Sequence, residues 1–244
     1  MKYLIALLLM PLALAACSKE GSGNEAMPNA APVAAVAPPA GQSWATTVTE
    51  TDKGYMLGNP NAPIKLVEYG DRLCPACKAL ANTGYKPLID NYVSTGKVSF
   101  EFRDFLIHGP PALALAAVGR CAGKEPFFAI LEQNYANQDP MNEKLVQMTP
   151  QQQQALTGGA PAKVITGWAE QIGAIDFIKQ RGVPEAKARQ CLADEALLNK
   201  IADVADQAAQ DGTVTGTPTL IVNGRKIDGI TWPDLEAALK RAGA

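Results

Sequence analysis

The chain has 244 residues, with 22 Lys and Arg against 24 Asp and Glu, a single histidine and 47% hydrophobic residues. That length suits one large domain or two closely joined ones, and a balanced charge without a basic run beside aromatics argues against a nucleic-acid partner. One histidine leaves a histidine-dependent triad or a histidine-rich metal centre short of groups.

Lys2 precedes an apolar run, Leu4 to Leu14, interrupted by Pro11. The run is shorter than the roughly 20 residues needed to cross a bilayer, so residues 1–16 read as an export signal. Its end, Leu14-Ala15-Ala16-Cys17, resembles the bacterial lipobox, which implies cleavage before Cys17 and acylation of that residue. An ordinary secretory signal is the alternative, and either one puts the chain outside the cytoplasm. Ser18 after the cysteine resembles the outer-membrane sorting pattern, so the expected location is the periplasmic side of a bacterial membrane, the outer one ahead of the inner. Residues 17–43 are rich in Ala, Pro, Gly, Ser and Asn. They offer little apolar surface and are expected to form a disordered tether.

The folded body is expected from residue 44. Ile64 to Tyr69 is β-rich and follows the turn-dense Gly58-Asn59-Pro60-Asn61-Ala62-Pro63. A helical pattern runs from Cys74 to about Val93, and Val98 to Phe105 alternates as a strand. This is a β–α–β unit with Cys74 and Cys77 at the first strand-to-helix junction. Near the far end, Leu220-Ile221-Val222 meets Asn223-Gly224, the strongest short hairpin signal because both turn residues need positive φ. Thr231 is a candidate cap for a last helix. Residues 112–211 read as helical, with helix starts at Thr149-Pro150 and at Asp194.

Five cysteines are present: Cys17, Cys74, Cys77, Cys121 and Cys191. Setting Cys17 aside leaves four, an even number as oxidising compartments favour, with three connectivities open. Zinc would need four ligands, and with only His108 and no second close cysteine pair the supply is poor. No metal or cofactor is expected.

The arrangement resembles the DsbA-type branch of the thioredoxin superfamily, an α/β thioredoxin fold with an inserted α-helical domain. The resemblance rests on Gly58 to Pro63, on Glu68-Tyr69-Gly70-Asp71 ahead of Cys74-Pro75-Ala76-Cys77, on Cys191-Leu192-Ala193-Asp194, and on Val214 to Thr219 running into Val222-Asn223-Gly224. It implies a thioredoxin-fold domain over residues 44–111 and 212–244, with the helical domain at 112–211. It also implies that Cys74 and Cys77 are the catalytic pair, that Thr217-Pro218 forms a cis-proline turn facing them, and that Cys121 and Cys191 form a structural disulfide. A helix N-terminus stabilises a thiolate, and Pro75 loses nothing by sitting in the first turn. Ala76 stands where strongly oxidising relatives carry histidine, so the Cys74 pKa is expected below that of a free thiol but above the DsbA value of about 3.5. Glu68, on an expected central strand, matches the family's buried glutamate. Its alternative is a strand-end carboxylate reaching water or an arginine such as Arg103.

The function expected on this resemblance is a monomeric dithiol oxidase acting on cysteine-containing exported proteins, reset by a quinone-linked, DsbB-like membrane oxidase and held to lipid through Cys17. A disulfide isomerase or reductase on the same fold is the alternative. Pro28, Pro32, Pro38 and Pro39 interrupt the region where an isomerase would carry a dimerisation stalk. A non-catalytic dithiol or copper-handling module is a further alternative; Met56 is its only candidate extra ligand upstream.

Overall fold

The computed structural model describes residues 29–244. The expected signal, residues 1–16, and Cys17 lie outside the described residues.

A six-stranded mixed sheet is flanked by helices. Its strands are β1 (Val48–Glu50), β2 (Tyr55–Gly58), β3 (Ile64–Gly70), β4 (Val98–Asp104), β5 (Thr219–Val222) and β6 (Arg225–Lys226), in spatial order β1-β2-β4-β3-β5-β6. Only β3 and β4 are parallel, joined by the helical run α1 over residues 75–93. That run holds two π-type turns, Ala81–Tyr85 and Ile89–Val93. The β5–β6 hairpin turns at Asn223 and Gly224, with φ of 50° and 80°, the two positive values such a turn demands.

Side chains alternate across β3, which divides the work between its faces. Leu66, Phe100, Phe102, Leu220 and Val222 point to the side covered by Leu80, Leu88 and Val93 of α1 and by the last helix, α10 (Trp232–Arg241). Tyr69 faces the other side, against Val204, Ala205 and Ala208 of the long helix α9 (Glu195–Gln210). Asp194 caps α9 by accepting from the Leu197 N–H at 3.1 Å, and the Asp234 carboxylate takes both the N–H and hydroxyl of Thr231 to close the first turn of α10.

Between β4 and β5 run α2 (Pro110–Arg120), α3 (Phe127–Ala136), α4 (Gln138–Val146), α5 (Pro150–Ala155), α6 (Pro161–Ile172), α7 (Ala174–Lys179) and α8 (Glu185–Ala193), then α9. Leu115, Val118, Trp168, Ile172, Ile178, Leu192 and Ile201 form a core of their own. The insertion is not closed upon itself, however. Phe127, Phe128, Leu131 and Tyr135 of α3 belong to the core of the sheet. Cys121, at the end of α2, and Cys191, on α8, are joined by a disulfide with Cα atoms 6.1 Å apart.

The expected disordered tether needs correction in its described part. Residues 29–43 follow the body: the Ala30 and Val33 amides donate to the Arg241 and Gly243 carbonyls at 2.7 and 2.8 Å, and Val36 donates to Thr95 at 2.9 Å. The Trp44 indole in turn donates to the Val36 carbonyl at 2.7 Å. Composition measures side-chain burial, whereas this segment docks mainly through its backbone. Its amides satisfy the carbonyls that the end of α10 leaves without intrahelical partners, and its prolines reduce the entropy lost on docking.

Candidate active site

The site lies where β3 gives way to α1. Asp71, whose side chain is fully buried, organises the turn: its Oδ1 accepts from the Leu73 N–H at 2.7 Å, its Oδ2 from the His108 N–H at 3.0 Å, and its carbonyl from the Cys74 N–H at 3.1 Å. Cys74 is thereby held in extended backbone as the cap of α1, with Pro75 in the first turn. Cys77 sits one turn further in and is completely buried.

Both cysteines are thiols. The Cys77 thiol donates to the Cys74 sulfur, and this, opposed by burial, is the main reason the Cys74 pKa falls to about 5. The Thr217 hydroxyl and the backbone N–H groups of Cys77 and Ala76 add to the depression. That hydroxyl is buried and is committed to no hydrogen bond elsewhere in the fold. Burial pushes the Cys77 thiol far in the opposite direction, reinforced by its donation to Cys74 and by the Glu68 charge. One sulfur is thus an anion over most of the accessible pH range while its neighbour keeps its proton. Cys74 Sγ also lies 3.4 Å from the Thr217 carbonyl oxygen, and the Thr217–Pro218 bond is cis.

Glu68 is 1% exposed on the α1 face of β3, paired in register with Phe102 and Leu220. It reaches neither water nor Arg103, which instead meets the Tyr69 hydroxyl and Glu101. The Tyr85 hydroxyl, brought over by the first π-type turn, donates to Glu68 Oε2 at 3.0 Å, while Oε1 has no partner. Burial raises its pKa to about 8; the tyrosine opposes the rise and the Cys74 charge adds to it. A carboxylic acid at neutral pH therefore lies beside the resolving thiol.

Several residues at the site carried no recognised signal in the sequence. Arg72 is buried with its Nε 2.7 Å from Asp104 Oδ1, and its guanidinium lies 5.8 and 5.2 Å from the ring centres of Phe102 and Phe127. A Cβ at position 119 would come within 2.6 Å of that guanidinium and force it to shift, so Gly119 leaves it room. Despite full burial, Arg72 and Arg120 hold the Asp104 carboxyl below its usual range. His108 Nδ1 lies 3.1 Å from Asp71 Oδ2, and this contact raises the His108 pKa. Asn134, Gln138 and Asn142 reach into the active-site turn from α3 and α4. Their spacing of four was the available signal, obscured by the helix break at Asn137.

An exchangeable sulfur at a helix tip, with a protonated partner behind it in a thioredoxin-type sheet, defines a thiol:disulfide oxidoreductase. A family model described as Thioredoxin matches residues 50–241. A probable disulfide bond formation protein D of Bacillus cereus is 26% identical over 190 residues, which cover 75% of this chain and 74% of the relative. A putative protein-disulfide oxidoreductase of Rickettsia bellii is 22% identical, covering 82% of this chain and 69% of the relative. Among solved structures, a protein-disulfide isomerase from Novosphingobium aromaticivorans superposes with a TM-score of 0.72 at 28% identity, over 78% of this chain and 97% of that one. Wolbachia pipientis α-DsbA1 shares the fold, with a TM-score of 0.60 at 19% identity, over 83% of this chain and 96% of that one. The chain belongs to the thioredoxin family, as a thiol:disulfide oxidoreductase of the DsbA type.

Proposed function

We propose that the protein is a dithiol oxidase that forms disulfides in exported proteins on the periplasmic side of a bacterial membrane, to which acylated Cys17 anchors it. The observation that carries this reading is the placement of the two cysteines, Cys74 at the helix tip and Cys77 fully buried one turn behind it, which sets the Cys74 pKa low and the Cys77 pKa high. A stabilised thiolate favours the reduced form, and a pair that prefers to be reduced is an oxidant toward its substrates.

In the reaction, a substrate thiolate attacks Cys74 Sγ of the oxidised pair. The Cys74–Cys77 bond breaks, and Cys77 leaves with the electron pair and takes a proton, for which Glu68 is the adjacent acid. A second substrate thiolate then attacks the substrate sulfur of the mixed disulfide. Cys74 departs as a thiolate, so two electrons have passed to the enzyme. The Thr217 carbonyl offers an extended substrate segment a backbone acceptor, as in strand addition. A neighbouring cavity of about 460 Å³, lined by Ala76, Ala79, Leu80, Ile230, Trp232 and Pro233, suits apolar side chains of that segment. Reoxidation is assigned to a quinone-linked membrane oxidase of the DsbB kind. Among the described residues no helix is long and apolar enough to cross a membrane.

Isomerase activity is the second reading, favoured by the name of the Novosphingobium relative. Against it, residues 29–43 lie along the body and build no stalk. The discriminating experiment combines two measurements in cells: the resting redox state of the pair by thiol alkylation, and capture of partners by Cys77→Ala. An oxidase rests oxidised and traps reduced exported proteins, whereas a pair found mostly reduced moves the assignment to isomerase or reductase. Fractionation of a Cys17→Ser form tests the anchor, which predicts release from the membrane; retention there would refute lipid attachment.

A further inference from the structure

The turn that delivers Cys74 is held from outside the thioredoxin domain. Gln138, fully buried at the start of α4, donates through one Nε2 to the Arg72 carbonyl at 3.1 Å and to the Cys74 carbonyl at 2.9 Å. Asn134 Nδ2 lies 3.4 Å from the same Arg72 carbonyl, and Asn142 Nδ2 donates to the Leu73 carbonyl at 3.0 Å. Two facing carbonyl oxygens can be met only by an NH₂ group, which fixes how the Gln138 amide is turned.

With the internal bonds of the turn added, the peptide units leading to Cys74 have no free polar atom. The 72–73 unit is bound at its oxygen by Gln138 and at its nitrogen by Asp71 Oδ1. The 73–74 unit is bound by Asn142 and by the Asp71 carbonyl. The 74–75 unit is bound by Gln138 and the Lys78 N–H, and Pro75 has no donor to satisfy. On the same side, Lys78 Nζ meets Asp139 Oδ1 at 2.6 Å, tying the first turn of α1 to α4 again.

The clamp carries a cost to stability. Asn134 Oδ1 and Gln138 Oε1 are buried without partners, and each buried unpaired acceptor costs about 1–3 kcal/mol. An apolar side chain would avoid that cost, so the amides are there for their donors. What those donors do follows from the chemistry of the turn. The Cys77 and Ala76 amides support the Cys74 thiolate only while the peptide planes before them stay put, and a rotated 72–74 plane would swing a carbonyl oxygen toward the sulfur.

We propose that Gln138, with Asn134 and Asn142, is a positioning residue for thiol exchange: three side-chain amides of the helical insertion lock the peptide units entering Cys74, so that the turn presents its backbone N–H groups, and none of its own carbonyls, to the sulfur. The proposal rests on the reading of Cys74 as the exchanging sulfur. It gives the helical insertion a direct part in setting the reactivity of a dithiol borne by the other domain.

The test uses the full chain with Gln138→Met, which keeps side-chain length while removing both donors, and Asn142→Ala, which frees only the Leu73 carbonyl. The thiolate absorbance of the reduced proteins is titrated, and their equilibrium with glutathione is measured. In Gln138→Met the Cys74 titration moves up by about one unit, and the glutathione equilibrium moves about tenfold toward the disulfide, equivalent to about 30 mV. Asn142→Ala moves both the same way by less. If both variants titrate and equilibrate as the unmodified protein does, whatever their melting temperatures, the amides are merely structural and the proposal is overturned. Should Gln138→Met fail to fold, Asn142→Ala decides alone by the same criterion. A titration like a free thiol's, at about 8.5, in the unmodified protein removes the reading of Cys74 itself and this proposal with it. A low value shared by all three proteins removes only the proposal.

Discussion

Cys74 Sγ lies 3.4 Å from the carbonyl oxygen of Thr217, across 143 positions of sequence. The contact joins the tip of α1 to the proline turn ahead of β5, and so brings the two halves of the thioredoxin domain to one point on either side of the helical insertion. It puts a backbone acceptor directly beside the exchanging sulfur.

The titration of Cys74 follows from that setting. The thiolate absorbance of the reduced protein is expected to appear with a midpoint at about 5, and alkylation by a neutral reagent should be flat above that pH and fall tenfold per unit below it. Because the folded pKa is depressed, the thiolate contributes stability that is complete above the unfolded thiol value and is lost as pH falls through about 5. The disulfide form has no such contribution. The reduced protein should therefore gain melting temperature over the oxidised one as pH rises from 5 toward 9. A constant difference across that range would contradict the assignment.

Glu68 works in the opposite sense. Its folded pKa, raised to about 8 mainly by burial, gives stability that is fully present below the unfolded carboxyl value and is lost as pH rises through 8. Glu68→Gln stays neutral throughout, so in the reduced protein, where that value applies, it should flatten the loss of stability between pH 5 and 9, a span on the order of 4 kcal/mol. The same variant should slow release of Cys77 from the mixed disulfide, read as a lower rate of substrate oxidation with Cys74 alkylation unchanged. Unaltered pH profiles of both stability and rate would remove Glu68 from the mechanism.

Ala76 contributes a backbone amide but no charge at the active-site turn. Ala76→His should place a cationic ring near the thiolate, lower the Cys74 pKa further, and shift the glutathione equilibrium toward the dithiol by at least about tenfold, equivalent to about 30 mV. A shift toward the disulfide would show that this position does not tune the pair.

The Cys121–Cys191 bond closes a loop with a sequence separation of 70. Replacing both cysteines with serine should cost about 4 kcal/mol in the chain-entropy account, measured by denaturant unfolding, with the Cys74 titration left in place. Loss of exchange activity in a folded double variant would instead assign this pair a redox role.

How much of this was legible depended on how local each signal was. Cys74-Pro75-Ala76-Cys77 at a strand-to-helix junction and Asn223-Gly224 in a hairpin are short patterns whose backbone demands are written in adjacent residues, and both appear as read. Strands β1 and β2 were not read, because Val48–Glu50 and Tyr55–Gly58 are too short for alternation and exist through pairing with β4 and with each other. The partner of Glu68 was missed for a related reason: Tyr85 reaches it only because a π-type turn shifts the face of α1. Phe127 and Tyr135 fill the core of the sheet from within the insertion, a pairing that periodicity within one helix cannot specify. The docking of residues 29–43 rests on backbone hydrogen bonds, which composition does not record.

The central claim is that Cys74 is a stabilised thiolate whose disulfide with Cys77 oxidises other proteins. Equilibrating the purified full chain with graded glutathione buffers and counting the dithiol fraction by mass after acid quench tests it most directly. A pair well on the oxidising side of thioredoxin, whose potential is about −270 mV, is the expected result. A potential at or below that value would contradict the account and make the protein a reductant.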